Sequence, residues 1–299
     1  AGVDGRINMD QAIDGDNVAF GRQLSLTAGG GDINLQGAVG GAQALGAFVI
    51  NSAHTVALAG VATAGVALPD TIQIGATSPI ASVTLRGDLV TSAASQAGGI
   101  RLNVTNVIVD HSGGAGTIRF DTHGSASDGA ISVVGSTTVS SATNWEDGLT
   151  ILTGSQAVSF ATVTMNALDH LVVNNTAGVV VNSLLLGDGA GNAGNALAIA
   201  AQSLQLGGNI DTSGDSSQNA GAVMFDADTR LVGNIRIATN ATGTDGAITS
   251  QRAIDADSVV NRRTLTLDAG TADVRAGCRV RMPKASKRAA ITTPASAGA

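Results

Sequence analysis

Residues 23–35 read QLSLTAGGGDINL. Leu24 and Leu26 flank Ser25, Ile33 and Leu35 flank Asn34, and a glycine-rich turn separates the two triplets. Side chains alternate across an extended strand, so each triplet buries two apolar residues on one face and shows its middle residue on the other. The phrase returns as Val56-Ala-Leu58, Ile72-Gln-Ile74, Val83-Thr-Leu85, Ile100-Arg-Leu102, Ile118-Arg-Phe120 and Ile131-Ser-Val133. It continues through Leu149-Thr-Ile151, Val158-Ser-Phe160, Leu197-Ala-Ile199, Leu204-Gln-Leu206, Ile235-Arg-Ile237 and Leu265-Thr-Leu267. Most copies start roughly 7 to 17 residues apart, the spacing of short strands in a repeat architecture. One such strand cannot bury its apolar face alone, so the copies must stack.

Composition narrows the shape of that stack. The 299 residues include 40 Gly, 4 Pro, five Phe, one Trp and no Tyr, and 13% are charged. A core of Ala, Val, Ile and Leu with few rings is narrow, which suits two sheets facing each other across a thin solenoid. Helical spacing is nearly absent, and Gly191, Gly194, Asn192 and Asn195 interrupt the Ala-rich stretch 190–201. Gly29-Gly30-Gly31-Asp32, Asp128-Gly129, Gly187-Asp188-Gly189 and Asp245-Gly246 supply turn chemistry.

Alternating strands also suit an antiparallel sandwich or barrel, but longer echoes and very short strands favour a solenoid in which one rung follows another. Leu24–Gly29 is echoed by Leu265–Gly270, Gly116–Asp121 by Gly221–Asp226, and Asp128–Ile131 by Asp245–Ile248. With roughly 12 rungs of about 22 residues and ~4.8 Å per rung, the body is expected to be about 55–60 Å long. Residues 1–20 read as a degenerate rung or a cap.

Charge divides the chain. Its formal net charge is −7, which argues against nucleic acid as a partner, since phosphate binding requires a basic surface. Residues 1–274 hold ten Arg and no Lys; six of the sixteen basic residues lie in 275–299, as does Cys278, the one cysteine. The expected organisation is a β-solenoid repeat region over 1–274 and a basic tail without solenoid pattern over 275–299. The stretch from Ile33 to Pro69 is free of Asp, Glu, Lys and Arg, but its alternation and its Gly, Asn51, Ser52 and His54 make it strands, so no transmembrane segment is expected.

Three stretches carry a family resemblance: LTAGGGDINLQGAVGGAQAL (26–45), LQLGGNIDTSGDSSQNAGAVMFD (204–226) and DGAITSQRAIDADSVVNRRTLTLDAGTADV (245–274). Their wording resembles the filamentous-haemagglutinin-like surface proteins of bacteria, including the LTLDAGT phrase. The resemblance covers most of residues 20–274. It implies an all-β, right-handed parallel β-helix acting as a structural or adhesive segment of a secreted or cell-surface fibre. It further implies an extracellular location, no catalysis, and partners among surface glycans, host or neighbour cells, and further rungs or copies at the solenoid ends. A two-partner secretion domain and a translocator barrel are not recognisable, which reads as a central piece of a longer fibre.

The alternative is a polysaccharide lyase or hydrolase, because parallel β-helices also present paired carboxylates for acid–base chemistry. Its candidates are Asp121 with His123 and Asp128, Asp226 with Asp228, and Asp255 with Asp257. Each has a plainer reading as a solvated turn residue. Asp110-His111 and Asp169-His170 are possible dyads, but strand neighbours point to opposite faces and are expected not to bond. His54 and His123 stand alone. Gly187–Asn195 and Asp14-Gly15-Asp16-Asn17 faintly resemble calcium loops but lack the tandem copies or full ligand set, so neither metal nor cofactor is expected. Asn103-Val-Thr105, Asn174-Asn-Thr176 and Asn240-Ala-Thr242 match the glycosylation pattern by composition. Trp145, in Asn144-Trp-Glu146-Asp147, is expected on a loop leaving the solenoid, as a cap or a sugar-stacking platform.

Overall fold

The computed structural model describes residues 4–16, 21–64, 69–92, 96–111, 115–143, 145–160, 162–214, 218–258 and 263–276. Arg275 and Ala276, expected in the tail, instead complete the strand Val274–Ala276, paired with Ile248–Ser250; the rest of the basic tail, together with Asn17, Asn144 and Asp215, lies outside the described residues.

All fourteen triplets quoted above are in strands. Strands pair in parallel, each with its counterpart one rung on, so the chain is a parallel β-solenoid. Helix is limited, among the described residues, to one 3₁₀ turn at Ala190–Asn192. The register resolves three ladders in place of the two facing sheets expected from the narrow core. In the first, one column runs Ile7–Ile33–Val56–Val83–Val107–Val139–Met165–Leu184–Ile210–Ile237–Leu267. In the second, it runs Ile13–Val39–Val61–Leu89–Phe120–Ile151–Val173–Ile199–Phe225–Ser250–Ala276. In the third, it runs Leu24–Phe48–Ile72–Ile100–Ile131–Val158–Val179–Leu204–Thr229–Ile254. The chain visits first, second and third ladders in turn, rung after rung.

These columns are the core. Phe48, Phe120, Phe160 and Phe225 are fully enclosed, and each large apolar side chain so buried contributes about 1.5–3 kcal/mol. Parallel pairing satisfies the backbone along the axis.

Rungs are longer and fewer than expected. Along these columns the offset runs from 19 residues (Met165 to Leu184) to 32 (Val107 to Val139). The ten steps of the first ladder give about 48 Å at ~4.8 Å each, not 55–60 Å. Variable loops at the corners absorb the difference. Residues 4–16 form a true rung, since Ile7–Met9 pairs with Ile33–Leu35.

Corners are closed by buried threonines. At the corner between second and third ladders, Thr91 and Thr122 donate to Gly98 O and Gly129 O, each at 2.5 Å. Between first and second ladders, Thr212 donates to Gly221 O at 2.7 Å and Thr239 to Gly246 O at 2.5 Å. All four are sealed from solvent. Burying a hydroxyl is costly unless it is bonded, and each of these clasps the base of its loop.

The echoes prove to be of two kinds. Gly116–Asp121 and Gly221–Asp226 both lie in the second ladder, with Phe120 and Phe225 in one column. Leu24–Gly29 and Leu265–Gly270 instead occupy the third and first ladders. The same wording builds any wall.

Candidate functional site

Polar chemistry gathers at the corner between the first and second ladders. Here Asp169 and His170 overturn an expectation: His170 Nδ1 lies 2.6 Å from Asp169 Oδ2, with both residues only 3% exposed. Strand parity would part them, but they sit in the bend between Val163–Leu168 and Leu171–Val181, just after a bulge where Ala167 takes φ 60°. There the alternation no longer applies.

His170 then reaches across two rungs. Leu149 registers with Ile118 and with Leu171, so Thr117, Gly148 and His170 occupy one outward column. Gly148 has no side chain, and the imidazole lies where one would be: a Cβ there would stand 2.1 Å from His170 Cε1. Nε2 thereby comes within 3.1 Å of Thr117 Oγ1. With the Nδ1 proton directed at Asp169, Nε2 accepts from the Thr117 hydroxyl. Asp169 Oδ2 also accepts the Gly191 N–H at 3.1 Å, which binds the turn Ala190–Asn192 over the pair.

A hydroxyl, an imidazole and a carboxylate in sequence is the order that activates a nucleophile. Acyl transfer also needs amides aimed at a developing oxyanion, and a parallel ladder spends its amides on the next rung. Asp169 N donates to Asp147 O and Leu149 N to His170 O, both at 3.0 Å. The Thr117–His170–Asp169 relay, with the Gly191 N–H on Asp169, also ties neighbouring rungs to one another.

Asp147, one rung below Asp169, is almost wholly buried. Burial pushes its carboxyl above the usual range, against the lowering effects of Ser141 and the His111 N–H. Ser141 Oγ lies 2.6 Å from Thr143 O and 2.9 Å from Asp147 Oδ2. A hydroxyl has one proton, so when Ser141 donates to Thr143, a neutral Asp147 completes the network by donating to Ser141.

Trp145 belongs to the same corner. Its φ of 70° is unusual for a residue with a side chain, and its N–H donates to Ala167 O at 2.9 Å. The ring does not leave the solenoid on a protruding loop, as expected; it is half-buried along the outer wall of the first ladder. A Cβ on Gly214 would fall 2.5 Å from Trp145 Cη2 and 2.9 Å from Leu185 Cδ1, so the indole rests on Gly214 beside Leu185.

The expected acidic sites lie mostly at the next corner. A shallow groove there is lined by His123, Asp128, Ser155, Gln202, Asp226 and Arg252. Asp128 Oδ2 accepts Ser155 N at 2.7 Å and Oγ at 2.6 Å, and Oδ1 accepts Gly124 N at 3.0 Å. Desolvation opposes these bonds, yet the Ser155 and Gly124 donors hold its carboxyl below the usual range. Asp226 is bound by Arg252 Nε at 2.7 Å, and Asp121 accepts the His123 N–H at 3.0 Å. Asp121 and Asp226 follow Phe120 and Phe225, four rungs apart, or about 19 Å; acid pairs of glycosidases stand at about 5–9.5 Å.

The remaining pairs are likewise separated or engaged. Asp226 ends the second-ladder register while Asp228 opens the third, where it is exposed. The strand Ile254–Ala256 stops before Asp257, which Arg263 grips at 2.7 and 2.9 Å. Asp110 accepts from Arg86 at 3.1 Å, and the ring of His111 overlies Gly116. His54 Nδ1 lies 3.5 Å from Asp32.

In the calcium-like stretches, Asp188 caps Ala190 N, Asn192 and Asn195 bond to each other, and Asp14 accepts from Ala42 and Gln43. Among the described residues no cluster of three or more His, Cys, Asp or Glu has metal-binding geometry, and no helix is long and apolar enough to cross a membrane. No protein-family model, no curated protein and no solved structure matches this chain.

Proposed function

We propose that this chain is a structural and adhesive segment of a secreted or cell-surface bacterial fibre of the filamentous-haemagglutinin-like kind, working outside the cell without catalysis. One observation carries the reading: the corner carboxylates hold adjacent rungs together. Asp4 accepts Gly30 N at 2.7 Å, Asp88 accepts Arg119 N at 2.8 Å, and Asp128 and Asp245 accept Ser155 N and Thr271 N at 2.7 and 2.6 Å. A charged acceptor on a backbone donor makes a strong, directional bond, suited to a rod under load. The terminal rungs favour continuation by further rungs or a second copy, since the partly exposed apolar residues on the core are Ile7, Met9, Ile13, Leu24, Ala272 and Val274. The net charge of −7 disfavours nucleic acid.

The competing reading, a polysaccharide-acting enzyme, is favoured by the groove that gathers His123, Asp128 and Asp226. Incubation with acidic and neutral polysaccharides decides between them. No new reducing or unsaturated ends are expected. Release of such ends, abolished by Asp128→Asn or Asp226→Asn, would overturn the structural reading.

A further inference from the structure

The outer wall of the first ladder carries a feature unlike the rest of the rod. Its outward column runs Ser140–Asn166–Leu185–Asp211 on four consecutive rungs. Trp145 lies beside Leu185, on the space that Gly214 leaves open. Trp145 and Ala167 both take left-handed backbone, and the Trp145 N–H donates to Ala167 O. Such strain is retained where the surrounding structure over-determines it, and it clusters at sites of recognition.

The polar groups on either side of Leu185 in that column are available. Asn166 is exposed, and its carboxamide has no hydrogen-bond partner among the described residues. Asp211 is held by Ser213, whose N–H and hydroxyl both donate to Oδ1, at 3.0 and 2.6 Å. Oδ2 is left as an acceptor, and since no buried side-chain oxygen or nitrogen lacks a partner, it faces solvent.

We infer that Trp145, Asn166 and Asp211 form a binding site for a neutral oligosaccharide lying along the solenoid axis. An aromatic face takes the apolar C–H face of a pyranose, while a fixed carboxylate and a carboxamide take ring hydroxyls. Asn166 and Asp211 are two rungs apart, about 10 Å, so they flank the ring resting at Leu185 and Trp145. Charge selects the class: Asp211 and the exposed Glu146 border the site, and the column contains no cation, so uronic acids and sialylated chains are repelled. This inference rests on the adhesive reading and gives that reading a ligand and a place.

The chain has one Trp and no Tyr, so its indole emission reports this site alone. Titration of the full chain with cellohexaose and chitohexaose, read by tryptophan fluorescence and by calorimetry, is expected to give a saturable change with at least one. Hexagalacturonate is expected to give none. Asp211→Ala and Asn166→Ala, checked for an unchanged strand signal in circular dichroism, are expected to weaken binding at least tenfold. Trp145→Phe retains a ring and should weaken it less than Trp145→Ala. Calorimetric binding that the Asp211 and Asn166 variants leave intact, an equal response to hexagalacturonate, or no binding to either neutral hexaose would each overturn the site. Labelled chain adhering to cells in any of those cases would leave the adhesive reading standing; loss of adhesion as well would remove both.

Discussion

Asp245 of one rung holds Thr271 of the next: its Oδ2 accepts the Thr271 N–H at 2.6 Å and the Thr271 hydroxyl at 2.8 Å, while Oδ1 accepts Ala241 N at 2.7 Å. Asp128 does the same for Ser155 and Gly124, and Asp4 for Gly30. In each case the captured turn begins with a left-handed glycine, Gly270, Gly154 or Gly29, with φ between 55° and 61°. This is a repeated latch, one carboxylate securing the turn of the following rung.

Removing a latch should loosen two rungs together. Asp245→Ala is expected to cost about 1–2 kcal/mol, the value of hydrogen bonds to a charged group reduced for partial exposure. Backbone bonds from Thr271 and Ala241 lower the Asp245 carboxyl below its usual range. A lowered folded-state value means the stabilisation is full above the unfolded pKa and is lost as pH falls through the folded one. Thermal melts should therefore show the gap between wild type and variant closing toward pH 3. A gap unchanged with pH would contradict the latch.

Asp147 should behave in the opposite sense. Its carboxyl is raised by burial, so between the unfolded value near ~4 and the higher folded value the native state holds the extra proton. Stability then declines as pH rises through that window. Asp147→Asn mimics the neutral acid, with an amide N–H to give Ser141 and a carbonyl for the His111 N–H. The urea midpoint of this variant relative to wild type should rise from pH 4 to 8 and exceed wild type at the upper end, while the lowered carboxyls of Asp32, Asp128 and Asp245 act equally in both.

Gly148→Ala is expected to destabilise by about 1–3 kcal/mol, since its methyl would enter the imidazole that Asp169 and Thr117 hold in place. The clash is specific to that ring. In the His170→Ala background the same change should cost much less, giving a coupling energy beyond about 0.5 kcal/mol in a double-mutant cycle.

Gly129→Ala should be worse. The added Cβ would stand 2.0 Å from Gly98 O, a backbone atom of the neighbouring rung that cannot rotate away. A loss of about 3 kcal/mol or failure to fold is expected, against a change within about 0.5 kcal/mol for Gly5→Ala, where nothing lies within 4 Å. Equal melting temperatures for the two variants would refute the close approach.

The candidate site was only partly legible in the sequence. Trp145 stands out as the single indole in an aromatic-poor chain, but its seat on Gly214 depends on a residue 69 positions later. The Asp169–His170 pair stands out in the sequence, but strand parity predicts that the two side chains part, and parity fails at a corner where the Ala167 bulge suspends it. The threonine clasps were missed, although Thr122 and Thr239 each precede an Asp-Gly by six residues and that matched spacing is a usable signal.

Alternation within a strand follows from the geometry of neighbouring residues, so the sequence by itself determined which triplets are strands, which side of each is core, and that the copies must stack; that they pair in parallel is a relation between strands and came from the register. What stacks on what is different. Register along the axis depends on how many residues each corner loop consumes, and those loops vary enough to make rung offsets along the core columns range from 19 to 32. Tertiary structure alone therefore decided that there are three ladders, that His170 reaches Thr117 over Gly148, and that Asn166, Leu185 and Asp211 line up beside Trp145, because each is a relation between rungs fixed by packing and not by sequence distance.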